Sequence, residues 1–169
     1  MAGLEDLYRE IILDHYRSPR NRGELPVPPA HRVEGFNPLC GDEVVVYLEL
    51  NEGILTDLRI AGQGCSISQS SASMMSATVK GRPVEEARTL IRSFKAMMSI
   101  REQSLEAEEG TDGVRDPNEV ETMKPEDLGE LAALQGVVKF PVRIKCATLP
   151  WNALAQGLDE IAAGVPPAD

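Results

Sequence analysis

Nowhere in this chain do apolar residues run for the roughly 18–20 positions that a membrane-spanning helix needs, so no membrane span is expected. The opening residues, Met1 to Glu10, carry acids and lack an apolar run, so no signal peptide is expected either. Basic charge is short as well: 17 Lys and Arg stand against 27 Asp and Glu, for a formal net charge of -10. That balance argues against nucleic-acid binding, which wants a basic surface, and against an anionic membrane surface. Aromatic residues make up only 4%, which leaves the core to Leu, Ile, Val, Ala and Met. Histidine is nearly absent, and nothing orients His15 or His31 for Cys–His nucleophilic catalysis. His15 falls on the apolar stripe of a helix and is expected to pack or cap; His31 falls in a loop and is expected to face solvent. An even-numbered cysteine framework is missing too: the three cysteines do not suit secreted disulfide pairing, so a reducing cytoplasm is expected.

What is present fits a globular protein. The chain has 169 residues, 42% hydrophobic and 26% charged, and is read as one domain over 1–169. Leu4, Leu7, Tyr8, Ile11, Ile12 and His15 recur at helical spacing, which predicts a helix over 4–16 that Ser18-Pro19 ends. Residues 23–30, with three prolines, read as a stiff linker, and His31 to Phe36 as a short strand. Val44 to Leu50 and Ile54 to Ala61 flank Asn51-Glu52-Gly53, a hairpin signal. A helix is predicted over Ser66 to Lys80, closed by Gly81, and another from Pro83 to about Met98. The serines of 66–76 read as small residues for close helix packing, and the pairs Met74-Met75 and Met97-Met98 as core. Residues 99–124 are acidic, with Glu102, Glu106, Glu108, Glu109, Asp112, Asp116, Glu119 and Glu121, and read as a helix extension followed by an exposed loop. Pro125 restarts a short helix to about Leu134. Pro141 argues against a regular central strand in the β-branched run 137–144, and a last helix is predicted from near Pro150 to Gly164. The fold class is α+β: a small three-stranded antiparallel sheet with helices packed on one face.

The chemistry lies with the cysteines. Cys40 is in Asn37-Pro38-Leu39-Cys40-Gly41-Asp42, Cys65 in Gly62-Gln63-Gly64-Cys65-Ser66, and Cys146 in Arg143-Ile144-Lys145-Cys146-Ala147. Each is read at a junction between an extended stretch and a turn or helix start, where a thiol is presented at an edge. Two glycines let the chain bend before Cys65, and the following helix points its positive end at the sulfur, which favours thiolate. Arg143 and Lys145 could add positive potential at Cys146, though strand alternation would turn both away from it. Three thiols and Asp42 can fill the four positions of a tetrahedral zinc ion, ligate an iron–sulfur cluster, or carry sulfur as a persulfide. Their separations match no local zinc-finger pattern, so convergence has to come from the fold.

These motifs, with Leu4 to Tyr16, Pro19-Arg20-Asn21 and Pro141 to Trp151, resemble the SufU branch of the IscU/NifU-N-terminal-like iron–sulfur cluster assembly proteins. The resemblance implies that Cys40, Asp42, Cys65 and Cys146 come together at one exposed end as metal ligands. IscU-type scaffolds carry a His immediately before the third Cys, where this chain has Lys145, and SufU-type proteins carry an insertion that matches 99–124. The branch implies a zinc-dependent sulfurtransferase that accepts persulfide sulfur from a PLP-dependent cysteine desulfurase (SufS-type) and passes it toward downstream cluster-assembly proteins. The alternative is a scaffold for a transient [2Fe-2S] cluster on the same residues, which the missing His disfavours. Cys40 is the expected sulfur acceptor, because a Pro/Gly loop swings further than a helix N-terminus.

Overall fold

The computed structural model describes residues 4–107 and 125–164. A helix α1 (Leu4–Arg17) leads into three strands, β1 (His31–Asn37), β2 (Asp42–Asn51) and β3 (Ile54–Gln63). Helices α2 (Ser66–Val79) and α3 (Val84–Ala107) follow, then a 3-10 segment (Pro125–Lys139) broken at Gly129, and finally α4 (Pro141–Ala162). The sheet is antiparallel in the order β1-β2-β3. The β2–β3 hairpin turns through Glu52 and Gly53, both at positive φ, which matches the right-handed twist of the strands. No helix among the described residues is long and apolar enough to cross a membrane.

α4 lies across β1 and β2, while α2 fills the space between α1, α4 and β3. The approach of α4 is close. A Cβ on Gly157 would meet Leu48 Cδ2 at 2.9 Å, and one on Gly35 would meet Leu149 Cδ1 at 3.1 Å. Val33, Val44, Val46 and Leu48 face this helix at alternate strand positions and are buried. Trp151 is wholly buried, stacks on Phe94 at 4.5 Å, and donates from Nε1 to Ser71 Oγ at 3.0 Å. Ser71 in turn donates to the Ala147 carbonyl at 2.6 Å, so one α2 hydroxyl pins α4 beside Cys146. The buried serines of α2 therefore bond as well as pack, and Met74, Met75, Met97 and Met98 are core residues as expected.

Two expectations are corrected. The last helix begins at Pro141, not near Pro150, because proline suits a first helical position, where its missing N–H has no helical partner to lose. Pro150 sits inside α4, so the Cys146 carbonyl four residues earlier has no N–H from that position to accept. His31 does not face solvent. It opens β1 on the face that α4 covers, is buried, and bonds Glu160 Oε2 at 2.6 Å. His15 packs as predicted, with its ring bonded to Ser73 Oγ at 2.8 Å and Glu130 Oε2 at 2.6 Å, joining α1, α2 and the 3-10 segment. The predicted extension of α3 is present to Ala107, and the acidic loop predicted after it lies outside the described residues.

Candidate metal centre

Three parts of the chain meet at one end of the sheet. The turn between β1 and β2 carries Cys40, and Gly41 takes φ +66 there, a conformation that other residues adopt at a cost. The turn closes on the pair Asn37–Asp42. β3 ends beside the start of β2, with Gln63 opposite Glu43, so the bend through Gly64 delivers Cys65 to the N-cap of α2. α4 presents Cys146 from its second turn. This corrects the junction expectation for Cys146, which is mid-helix and wholly buried, whereas Cys40 and Cys65 are half-buried.

The donor atoms of Cys40, Asp42 and Cys146 lie within 4.8 Å of one another. The Cys40 and Cys146 sulfurs are 3.3 Å apart. Cys65 stands outside that trio but beside it, its sulfur 3.9 Å from Asp42 Oδ2 and 3.8 Å from Ser68 Oγ. Asp42 is the common neighbour. Its Oδ1 accepts the Cys65 backbone N–H at 2.8 Å, which leaves Oδ2 toward the thiols. A Cβ on Gly64 would sit 2.6 Å from Asp42 Oδ1 and 2.5 Å from Ser68 Oγ, so the close approach of the two segments depends on glycine.

Electrostatics divide the group. Burial works to raise the Asp42 carboxyl, but bonds from the Cys65 N–H, from Cys146 and Cys65, and from Ser68 outweigh it and hold the acid below its ordinary value. The Cys146 thiol is pushed up, first by burial and then by its bonds to Asp42 and Cys40 and the charge of Cys65. A buried thiol crowded by acidic neighbours ionises when a cation joins the group. A zinc ion at about 2.3 Å from each sulfur gives tetrahedral edges of about 3.8 Å. The Cys40 and Cys146 sulfurs at 3.3 Å lie close to that edge, and with Asp42 within 4.8 Å of both, these three donors fit such an ion, while Cys65 stands beside Asp42 as the candidate fourth.

Arg143 belongs to this site. Its Nη1 lies 3.9 Å from the Cys40 sulfur, and contact with Cys146, then the charges of Cys65 and Cys40, strengthens its hold on its proton. In a helix Arg143 and Cys146 are three apart and share a face, whereas strand alternation would have separated them. Lys145 is exposed. Asn37 and Ser68 were not anticipated. Asn37 is buried, its Nδ2 3.6 Å from the Cys146 sulfur while its Oδ1 accepts the Leu39 N–H at 3.2 Å, which fixes the turn that carries Cys40. Asn-Pro before a turn was the available signal for it; the role of Ser68 depends on tertiary contact.

The family model of the NifU-like N-terminal domain matches residues 7–147. A zinc-dependent sulfurtransferase SufU of Bacillus subtilis (strain 168) is 40% identical over 163 residues, covering 96% of this chain and 97% of the relative. An iron–sulfur cluster assembly scaffold protein IscU of Streptococcus pyogenes serotype M1 is 35% identical over 162 residues, covering 96% and 89%. Among solved structures, a protein described as an iron–sulfur cluster assembly scaffold for the SUF system of Fervidobacterium islandicum AW-1 superposes with a TM-score of 0.71 at 28% identity, covering 92% of this chain and 99% of that one.

Proposed function

Because this chain belongs to the family of NifU-like N-terminal domains, we propose that it is an iron–sulfur cluster assembly protein acting as a zinc-dependent sulfurtransferase. It accepts persulfide sulfur from a PLP-dependent cysteine desulfurase of the SufS type, in a reducing cytoplasm, and hands it to downstream cluster-assembly proteins. Cys40, Asp42, Cys65 and Cys146 hold the zinc, and Cys40 takes the sulfur. The observation that carries this reading is the pairing of a half-buried Cys40 on a glycine-containing turn with a wholly buried Cys146, sulfur to sulfur at 3.3 Å.

Zinc, when bound, keeps the thiols as thiolates near neutral pH. The rest is done by the chain. Cys146 and Asp42 are fixed, one in a helix under Trp151 and the other by the Cys65 N–H, so they stay in place when Cys40 leaves. Asp42 would give a bound zinc its one hard oxygen ligand among the sulfurs. Arg143 faces the Cys40 sulfur and steadies its negative charge. The Cys40 thiolate attacks the outer sulfur of the donor's persulfide. A new S–S bond forms at Cys40, the donor's S–S bond breaks, and the donor cysteine departs as thiolate. Cys40 then carries the persulfide.

The test is metal analysis with and without chelator, followed by desulfurase turnover on each form. One zinc per chain, whose removal abolishes stimulation of the desulfurase, is the expected result. Activity retained without zinc, with iron and sulfide bound instead, would favour the [2Fe-2S] scaffold reading and overturn this one.

A further inference from the structure

A cavity adjoins the thiol site but is not part of it. It is a groove of about 450 Å³ between α1, the start of α2, the 3-10 segment and the first turn of α4. Its floor is apolar, with Ile12 and Leu13 of α1, Ile67 of α2, Val137 and Phe140. Arg9 and Arg143 stand along it, on a chain whose net charge is -10. Among the described residues Arg9 is exposed and has no ion-pair partner. The groove runs up to the chemistry: Ser66 in its wall follows Cys65, and Arg143 also lies 3.9 Å from the Cys40 sulfur. Large apolar side chains stand out on the same end, with Phe140 62% and Leu39 67% exposed, a concentration that marks a protein-docking surface.

We propose that this groove docks the loop of the sulfur donor that carries its persulfide cysteine, with a large apolar side chain of that loop on the Ile12–Ile67–Phe140 floor and a carboxylate at Arg9. The inference rests on the sulfur-transfer reading and names the surface through which it operates. Charge selects the occupant: a cationic rim on an otherwise acidic protein attracts an acidic segment, while the like net charge of two copies, -10 each, opposes their association. Continuity sets the register, because a loop seated here brings its sulfur to the face where Cys40 and Arg143 meet.

The test is desulfurase turnover measured against the concentration of the zinc-loaded protein, for the wild type, Arg9→Glu and Leu13→Asp. Both variants should keep one zinc per chain and take sulfur from cysteine persulfide, a small donor that needs no groove, at the wild-type rate. Against the desulfurase each should raise the half-saturating concentration about tenfold or more with the maximal rate unchanged, and for the wild type that concentration should rise with salt. Arg9→Glu changes an exposed position, so it remains informative if Leu13→Asp fails to fold. A wild-type protein that takes no sulfur from the desulfurase would sink the functional reading itself. A wild type that does, with variants indistinguishable from it, would overturn the groove alone. Loss of self-association in the variants, with unchanged half-saturation, would assign the groove to a second copy and overturn the proposal equally.

Discussion

Cys40 and Cys146 are 106 positions apart in the chain, and their sulfurs are 3.3 Å apart in the fold. They are not equivalent. Cys40 rides a turn whose neighbour Leu39 is 67% exposed, while Cys146 is wholly buried in α4 beside the Ser71–Trp151 pair. One can leave the site without disturbing the core, and the other cannot.

That asymmetry predicts different outcomes for the two serine variants. Cys40→Ser should fold with near wild-type stability in the metal-free form and lose transfer of labelled sulfur from the desulfurase. Cys146→Ser buries a hydroxyl in the place of a thiol and should lose about 1–3 kcal/mol of stability as well as metal affinity. Denaturant melts, metal content and sulfur labelling separate the two. A Cys40→Ser protein that accepts sulfur at the wild-type rate would remove Cys40 from the acceptor role.

Gly64→Ala should damage the site selectively. Its methyl would press on Asp42 Oδ1 at 2.6 Å and on Ser68 Oγ at 2.5 Å, so Asp42 must rotate or α2 must withdraw. Either movement breaks the Cys65 N–H to Asp42 bond. The expected result is a folded protein with zinc affinity reduced at least tenfold in competition with a chromogenic chelator. Unchanged affinity would show that the bend has slack the geometry does not suggest.

His15→Leu should weaken the joint between α1, α2 and the 3-10 segment. The ring bonds Ser73 Oγ and Glu130 Oε2, and Ser73 also accepts the Arg20 N–H at 2.8 Å. A leucine fills the volume and leaves the buried Ser73 hydroxyl without its ring partner, at a cost of about 1–3 kcal/mol. Urea unfolding measures this, and the zinc content should be unchanged because His15 does not touch the thiols.

Local signals were legible where one residue type has one dominant use. Gly81 and Pro83 mark the break between α2 and α3, and Glu52-Gly53 turns the hairpin, all as the sequence implies. The error at the last helix came from proline's two uses. Pro141 reads as a strand breaker in a β-branched run, and its alternative use as a first helical residue moves Cys146 from an edge to an interior. The pairing of Arg143 with the thiols was hidden by the same step. His31 and Ser68 owe their settings to α4 covering β1 and to β3 closing on β2, and such contacts have no sequence spacing to read. The four candidate ligands were named from residue type and resemblance, while the central place of Asp42 among them comes from the fold.

The His31–Glu160 pair gives stability with a predictable pH dependence. The bond from the His31 ring, then that from Gln156, holds the Glu160 carboxyl below its ordinary value. A carboxylate with a folded pKa below its unfolded value of about 4.3 adds stability above that pH and loses it as pH falls through the folded value. The Glu160 side chain is 31% exposed, so solvent screening keeps the contribution to about 1 kcal/mol or less. Glu160→Gln should therefore be less stable than the wild type at pH 6–7, and the difference should close as the pH is lowered toward 3. Glu160 lies about 20 Å along α4 from Cys146 at 1.5 Å per residue, so metal release at low pH affects both proteins alike and cancels in the difference. Urea unfolding of both proteins across that range measures it. A gap that widened toward acid would mean that the neutral carboxyl makes the stronger bond to His31, and would reverse the assignment.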